Sequence, residues 1–309
     1  MNPKVSVVIP VYNSEQTLES LVSGLELSLK ADWTPFEIVL VDDGSSDNSW
    51  IRICQLASRN SNVYAIRLSR NFGQHHAVLA GVERSKGDVT VIMDCDLQDR
   101  PEDIPTVLAK LTDGFDIVVT QTGSLHQSLL RRTLRTAYFR IISWSSSIEL
   151  EPNLGTVVAF NQKVREAFVT VRDQHRHTNL VLAWLGYKRT SVEVQKLPSD
   201  LRHSSYSFIR LITQALTGSL SSSTRLLSLA MSLGGLMMVA SIVLSLVVLR
   251  AGLLLNPEAG WVSLMLATLL LSGMILFFLG AIGFYVGKSF EQVRGRPIYL
   301  VETETGLPR

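Results

Sequence analysis

Residues 91–99 are Val91-Ile92-Met93-Asp94-Cys95-Asp96-Leu97-Gln98-Asp99, an apolar run that ends abruptly in acidic residues. The run predicts a strand, and Asp94 and Asp96 are expected to leave its extended end by the same face. Two such carboxylates repel each other unless a cation lies between them. Mg²⁺ binds oxygen ligands, and it is usually coordinated by protein carboxylates and substrate phosphates together. Gln98 adds a neutral oxygen. The stretch therefore predicts a metal–diphosphate site at a strand end; a solvated acidic turn is the alternative.

Predicted strands and helices alternate over the first 120 residues. Continuous apolar, β-branched runs are typical of strands that are buried on both faces. The predicted strands are 5–9, 36–41, 63–68, 89–93 and 116–120, and the predicted helices are 14–30, 46–59, 73–85 and 101–111. Short links between them predict an α/β fold with a mainly parallel sheet covered by helices.

Polar clusters follow three of these strands: Tyr12-Asn13, Asp42-Asp43 and the acidic residues after Met93. Ligands of such sheets bind beyond the carboxyl ends of the strands, so the clusters are expected to converge. Tyr12 could stack on a nucleobase, and Asp42 or Asp43 could accept hydrogen bonds from a base or a ribose. The alternatives are a packed tyrosine and a turn aspartate. The chain has no dinucleotide or phosphate-loop glycine motif.

A fourth polar segment, Arg70-Asn71-Phe72-Gly73-Gln74, follows the third strand. Gly73 permits close approach of the backbone, and Arg70 could contact a phosphate. For His75 and His76, a capping or surface role is favoured over metal binding.

The four segments together resemble the family-two glycosyltransferases of the GT-A fold, and in particular the polyprenyl-phosphate glycosyltransferases. The resemblance depends on residues 6–13, 41–47, 70–74 and 94–99, in this order. It implies a nucleotide-sugar donor and a Mg²⁺ or Mn²⁺ cofactor, with Asp94 and Asp96 as catalytic residues and Asp94, Asp96 and Gln98 as metal ligands. The donor would be held by Pro10, Tyr12, Asp42, Asp43, Arg70, Asn71 and Gly73.

The C-terminal third predicts a membrane anchor. The chain is 46% hydrophobic and only 18% charged, and the apolar excess is concentrated there. Residues 226–249 and 261–287 are each long enough, at about 1.5 Å per residue, to cross a bilayer of roughly 30 Å. Arg225 precedes the pair, and Lys288, Arg294 and Arg296 follow it. The positive-inside rule then predicts a multi-pass protein of the cytoplasmic (inner) membrane with its catalytic domain and both termini in the cytosol.

Basic segments between the sheet and the predicted hairpin suggest an interfacial acceptor. Residues 125–147 form a basic amphipathic pattern, and a second interfacial helix is expected at 206–217. A polyprenyl phosphate is the expected acceptor, with its phosphate held by Arg131, Arg135, Arg202 and Tyr206. A solvated helix packed on the sheet is the alternative for residues 125–147. No nucleic-acid partner is expected, and the small residues of the hairpin suit a homo-oligomer.

The expected domains are a nucleotide-sugar-binding core (1–122), an acceptor-side part (123–205), a juxtamembrane helix (206–225), the transmembrane hairpin (226–288) and a cytosolic tail (289–309). Three positions depart from the family pattern: Thr122 stands where relatives often have a phosphate-binding Arg, Asn153 where many have Asp, and Ser205 in a segment lacking the usual Gly and Lys.

The resemblance implies an inverting transferase that moves a single sugar, and these departures leave alternatives to it. One is a catalytically weak relative that binds nucleotide-sugar or acts as a scaffold. Another is a processive polysaccharide synthase, which is disfavoured because the chain lacks a Gln-x-x-Arg-Trp motif and further spans.

Overall fold

The computed structural model describes residues 3–122, 154–174, 176–194, 236, 243 and 260–306. The strands are β1 (Val5–Val11), β2 (Phe36–Asp42), β3 (Val63–Leu68), β4 (Val89–Ile92), β5 (Ile117–Thr122), β6 (Leu154–Asn161), β7 (Arg189–Val194) and β8 (Val301–Thr305). The helices are α1 (Leu18–Lys30), α2 (Ser49–Arg59), α3 (Gln74–Arg84), α4 (Ile104–Thr112), α5 (Gln162–Thr170), α6 (Thr178–Trp184) and α7 (Gly260–Val293), with a 3₁₀ turn at Pro101–Asp103.

The described residues fall into two compact units. The sheet unit contains residues 3–122, 154–174, 176–194 and 297–306, and the helical unit contains residues 236, 243 and 260–296. The five strands and four helices predicted for the first 120 residues are all present in the sheet unit.

One sheet runs through the sheet unit in the order β7-β5-β6-β4-β1-β2-β3-β8. Strands β4, β1, β2 and β3 are parallel neighbours, and β5 is parallel to β7. Strand β6 lies between β4 and β5 and is antiparallel to both, and β8 is antiparallel to β3. The sheet is therefore mixed and mostly parallel, which confirms the fold class in its coarser form.

Both faces of the central strands are buried, as their continuous apolar sequences predict. Every residue of β1 and β2 is buried. Alternate residues serve opposite faces: Val5, Val7 and Ile9 belong to the core under α1, whereas Val8 belongs to the core under α3. Polar side chains within these strands need partners inside the sheet, as Ser6 and Glu37 show by their hydrogen bond to each other.

The C-terminal segment returns to the sheet, which the sequence prediction of a plain cytosolic tail did not anticipate. Strand β8 pairs with the outer edge of β3, and Ser69 N donates to Leu300 O at 2.9 Å. Ile298 is buried against the core under α3. Residues 297–306 thus cover an edge that would otherwise expose unpaired backbone groups.

The predicted membrane hairpin is not confirmed. Helix α7 includes the second predicted span, 261–287, and the first predicted span lies outside the described residues apart from positions 236 and 243. Across the described parts of the chain, no helix meets the combined length and hydropathy that a membrane crossing requires. The two basic segments, 125–147 and 206–217, also lie outside the described residues.

A chain that ends at residue 296 tests the contribution of β8 to the stability of the sheet unit. We expect this chain to unfold at a lower temperature and to aggregate, because it loses the β3–β8 ladder and exposes a long apolar edge. A chain that ends at residue 306 retains β8 and is the matched control. Light scattering and thermal unfolding measure the difference; equal behaviour of the two chains would contradict the assignment.

Candidate active site

The carboxyl ends of the four parallel strands β4, β1, β2 and β3 bring the polar segments together at one edge of the sheet. Tyr12 and Asn13 follow β1, Asp42 ends β2, and Asp43 follows it. Hydrogen bonds connect the segments directly, so the predicted convergence is confirmed for the described residues.

Asp43 connects the second and third polar segments. Its Oδ1 accepts a hydrogen bond from Phe72 N at 2.8 Å, and its Oδ2 accepts one from Gly73 N at 2.9 Å. Burial raises the pKa of the Asp43 carboxyl, and these two backbone donors act in the opposite direction. A carboxylate with both oxygens engaged in this way fixes the loop after β3 against the loop after β2.

Gly44 allows the same two loops to approach closely. Its φ of +68° is in the left-handed region, and an added Cβ would lie 2.6 Å from the carbonyl carbon of Arg70 and 2.7 Å from Asn71 N. Both neighbouring atoms are backbone atoms, which cannot move aside as a flexible side chain can. Only glycine meets both conditions at this position.

Asn13 connects the end of β1 to the loop after β2. The Asn13 side chain accepts a hydrogen bond from Ser46 N at 2.9 Å, and Asn13 N donates to Ser45 Oγ at 3.0 Å. Asn13 has a positive φ of 49°, a conformation that asparagine tolerates better than most residues. Tyr12, next to it, is 43% exposed, which is the exposure that a stacking platform needs and a packed core tyrosine does not have.

The acidic segment joins this cluster through Gln74 and Thr17. Gln74 Nε2 donates to Asp94 Oδ1 at 2.6 Å, and Thr17 Oγ1 donates to the Cys95 carbonyl at 2.6 Å. Sequence reasoning missed Gln74 as a site residue, although it directly follows Gly73 in the polar segment. All four segments of the resemblance therefore belong to one hydrogen-bonded cluster.

The structure corrects one premise about the acidic residues. Strand β4 ends at Ile92, so Asp94 and Asp96 lie on a bent loop and not on an extended strand end. Leu97 adopts a positive φ of 59°, and Gln98 N donates to Asp96 Oδ1 at 3.1 Å, which closes a tight turn. The period-two argument for a shared face consequently does not apply.

The donor set of this loop nevertheless fits a hard divalent cation. Asp94, Asp96 and Gln98 are all half-buried and carry only oxygen donors towards a metal, apart from the amide nitrogen of Gln98. Among the described residues, no group of three or more His, Cys, Asp and Glu side chains could hold a metal ion. Mg²⁺ does not need such a cage, because it commonly binds through one or two carboxylates together with water and substrate phosphates.

Asp42 is the most deeply buried acid of the cluster, with no exposed surface. Its Oδ1 accepts a hydrogen bond from Ser45 N at 3.2 Å, and its Oδ2 lies 3.5 Å from Arg67 Nε. Burial raises the pKa of Asp42, whereas the hydrogen bonds of Ser45 and the charge of Arg67 lower it. Sequence reasoning also missed Arg67, although a single charged residue in the apolar run of β3 was an available signal.

The remaining predicted donor residues lie at the same edge. Pro10 is buried within β1, and the Arg70 guanidinium lies 4.1 Å from the centroid of the Phe72 ring. Arg70 Nη1 also donates to the Asn71 carbonyl at 3.0 Å. The predicted acceptor residues Arg131, Arg135, Arg202 and Tyr206 lie outside the described residues, as do Asn153 and Ser205.

The two histidines after Gly73 pack inside the sheet unit. His75 Nδ1 lies 3.0 Å from Thr178 Oγ1, and its ring centroid is 4.3 Å from that of His177. Burial, reinforced by His177, lowers the pKa of His75 to about 3, so this ring is neutral near pH 7. His76 Nδ1 lies 2.7 Å from the Phe72 carbonyl. These contacts favour a structural role for both residues.

Comparison with known proteins gives concordant matches. Residues 6–179 match the model of the family described as glycosyl transferase family 2. The chain is 32% identical to an uncharacterized glycosyltransferase of Synechocystis over 99% of this chain and 97% of the relative. It is 30% identical to an undecaprenyl-phosphate 4-deoxy-4-formamido-L-arabinose transferase of Yersinia pestis, over 98% and 94% of the two chains.

Among solved structures, the chain is similar in fold to a mannosyltransferase from Pyrobaculum calidifontis, determined in complex with GDP-Man and Mn²⁺. The TM-score is 0.51 with 18% sequence identity, and the match covers 90% of this chain and 88% of the other. At this level of identity the match supports the fold, which is of the GT-A type.

Replacing Gly44 with Ala tests the close approach of the two loops. We expect a loss of about 3 kcal/mol or more in the free energy of unfolding, from the left-handed backbone and the steric overlap together. Gly114 is the matched control: it also has a positive φ, of +89°, but an added Cβ there meets nothing within 4 Å. Gly114→Ala should therefore cost only about 1–2 kcal/mol. Equal losses in denaturant unfolding would contradict the proposed overlap.

Proposed function

The chain belongs to glycosyl transferase family 2, and from this membership we propose that it transfers a single sugar from a nucleotide-sugar to a polyprenyl phosphate of the undecaprenyl type. The observation that carries the donor half of this proposal is the hydrogen-bonded cluster at the strand ends, in which Asp43 and Gln74 join three of the four polar segments. The acceptor half is supported by the Yersinia relative, whose name specifies undecaprenyl phosphate and which aligns over nearly the whole chain.

In the donor site, each polar residue has a role that its position supports. Tyr12 stacks on the nucleobase with its exposed ring, and Asp42 and Asp43 orient the nucleoside; Pro10 and Asn71 shape the wall of the site. Arg70 contacts the diphosphate, and Gly73 leaves room for it at the start of α3, where helix N–H groups attract anions.

Asp94, Asp96 and Gln98 would hold a Mg²⁺ or Mn²⁺ ion against the diphosphate. The structurally similar mannosyltransferase from Pyrobaculum calidifontis was determined in complex with GDP-Man and Mn²⁺, which supports this assignment by analogy of fold. A bound divalent ion neutralises the charge that develops on a departing nucleoside diphosphate. Gln74, through its hydrogen bond to Asp94, keeps that carboxylate oriented when no ion is bound.

The acceptor needs little activation. The second pKa of a phosphate monoester is about 6, so a polyprenyl phosphate is largely ionised near pH 7 and is already nucleophilic. Its main requirement is guidance by cationic side chains, which we assign to Arg131, Arg135 and Arg202, with Tyr206 as a further contact. These side chains would replace the phosphate-binding Arg that relatives often have at the position of Thr122. They would also compensate for the Gly and Lys that are missing from the segment around Ser205.

A membrane anchor would place this site near its lipid acceptor. The proposed anchor is the pair of apolar runs at 226–249 and 261–287, with the catalytic domain and both termini in the cytosol. Helix α7 exposes large apolar side chains along its length, among them Leu264, Ile275, Leu279, Val286 and Phe290. Exposed apolar surface of this extent is expected to be covered by lipid or by another copy of the helix.

The metal assignment is tested by lipid-linked sugar formation with purified protein, polyprenyl phosphate and a panel of nucleotide-sugars, read by mass spectrometry of the lipid. We expect product with Mg²⁺ or Mn²⁺, none in excess chelator, and a loss of at least about a hundredfold in Asp96→Asn, on the scale of removing one electrostatic contributor to the transition state.

Glu102→Gln is the matched control for that experiment. Glu102 is acidic, lies six residues after Asp96 and is exposed, and its Oε2 lies 3.5 Å from Arg100 Nε. Its removal should leave turnover unchanged. Full turnover in chelator would refute the metal assignment. Failure of every donor with the wild-type protein would favour the alternative of a catalytically weak, nucleotide-sugar-binding relative.

The acceptor assignment is tested by the double variant Arg131→Glu/Arg135→Glu. We expect the KM for polyprenyl phosphate to rise at least about tenfold, because reversing two charges repels a phosphate dianion. The Kd of the donor nucleotide should remain within about twofold of the wild-type value, because both arginines are assigned to the acceptor. For scale, a tenfold change in Kd corresponds to about 1.4 kcal/mol. Equal weakening of donor and acceptor binding, or no effect on either, would contradict this role.

A further inference from the structure

Arg67 joins the C-terminal strand to the buried acid of the donor site. It is the only charged residue of β3, and it pairs with Asp42 across the parallel β2–β3 ladder. Its Nε lies 3.5 Å from Asp42 Oδ2 and 3.4 Å from Glu302 Oε2 on β8. The guanidinium also lies 5.6 Å from the centroid of the Trp50 ring. Arg67 is therefore shared by a site residue and a residue of the tail.

A β-bulge directs Glu302 towards Arg67. Arg67 pairs with Thr303, whereas the next residue, Leu68, pairs with Val301, so Glu302 is the extra residue of β8 at this point. A bulge bends its strand and redirects a side chain that would otherwise follow the regular alternation. Here the redirected carboxylate approaches the guanidinium that faces Asp42.

The rest of the C-terminal segment is held independently of Arg67. Arg84 of α3 forms an ion pair with Glu304 and donates from Nη1 to Tyr299 Oη at 3.2 Å. Tyr299 also donates its hydroxyl hydrogen to Glu83. Because these contacts anchor both ends of the segment, the position of Glu302 does not depend on its own contact with Arg67.

Charges around Asp42 make its ionisation sensitive to this arrangement. The groups that face it are Arg67, Asp43, Asp47 and the Cys54 thiol, and Glu302 faces Arg67 from the other side. Burial is the main cause that raises the pKa of Asp42, and Arg67 opposes it. A negative charge beside Arg67 weakens this opposition, because it partly cancels the field of the guanidinium at Asp42.

We propose that Arg67 and Glu302 are positioning residues of the donor site: Arg67 holds the buried Asp42 carboxylate at the base of the loop after β2, and Glu302 of the C-terminal strand moderates the charge that Arg67 presents to Asp42. The proposal rests on the proposed function, in which Asp42 helps to orient the donor nucleoside. Because Asp42 has no exposed surface, it acts through the loop after β2, where its Oδ1 accepts a hydrogen bond from Ser45 N. In this proposal, β8 contributes a residue to the donor site and also covers the edge of the sheet.

The test measures the Kd of UDP and of GDP, each with Mg²⁺, by calorimetry on the full-length protein in detergent between pH 5 and pH 8. The hydrogen bond from Ser45 N to ionised Asp42 orders the loop after β2, so nucleotide binding weakens as the pH falls through the pKa of Asp42. Arg67→Met removes the favourable charge, and we expect a Kd about tenfold higher at pH 7 with the acid limb moved to higher pH. Arg67→Lys, which restores the charge, should move the limb back towards the wild-type position.

Glu302→Gln should move the acid limb in the opposite direction, to lower pH, because Arg67 then acts on Asp42 with its full charge while the Gln side chain keeps a similar shape. Glu304→Gln is the matched control on the same strand: it contacts Arg84 instead, and its acid limb should coincide with that of the wild type. Opposite shifts in Arg67→Met and Glu302→Gln support the proposal.

Three results would overturn it. Shifts in the same direction, or no shift, in Arg67→Met and Glu302→Gln would exclude an electrostatic connection to Asp42. Equal loss of binding in Glu302→Gln and Glu304→Gln, together with lower unfolding temperatures, would reduce β8 to a structural role. Absence of nucleotide binding by the wild-type protein would instead refute the proposed function itself, and this outcome is distinct from the other two.

Discussion

The two hydrogen bonds from Phe72 N and Gly73 N to the Asp43 carboxylate hold the polar edge of the sheet together. A parallel sheet that is buried on both faces is mostly apolar within its strands, and most of its polar side chains lie beyond the strand ends. Loops at that edge have few regular partners for their backbone N–H groups, and Asp43 supplies two acceptors where two such groups converge. Gly44 makes the same approach sterically possible. The geometry of the proposed donor site depends on this one junction.

The buried acids next to this junction illustrate how stability is exchanged for function. Burial raises the pKa of both Asp42 and Asp43, so keeping either carboxyl ionised inside the sheet unit costs free energy. Hydrogen bonds from Ser45, Phe72 and Gly73 offset part of this cost. Apolar residues at these positions could not accept the hydrogen bonds from Ser45, Phe72 and Gly73 that connect the loops.

Sequence reasoning predicted the convergence of the four polar segments but missed several of the connections around them. Its four polar segments do form one cluster, and the chain belongs to the family that they indicated. The argument from Asp94 and Asp96 on an extended strand was wrong, because β4 ends at Ile92 and a turn follows. Arg67 and Gln74 were missed because their partners, Asp42 and Asp94, are 25 and 20 residues away along the chain. No local pattern reports such contacts.

Local sequence was sufficient for the elements of the first 120 residues and for the order of the polar segments, because hydrophobic periodicity and strand–helix alternation act over a few residues at a time. Only the tertiary structure revealed that β6 lies antiparallel between β4 and β5, and that residues 301–305 return to pair with β3. The order of strands in the sheet depends on long-range backbone pairing and on which strand edges are still unpaired. Neither leaves a periodic signal in the sequence. The contact of Glu302 with Arg67, and through it with Asp42, exists because of that pairing.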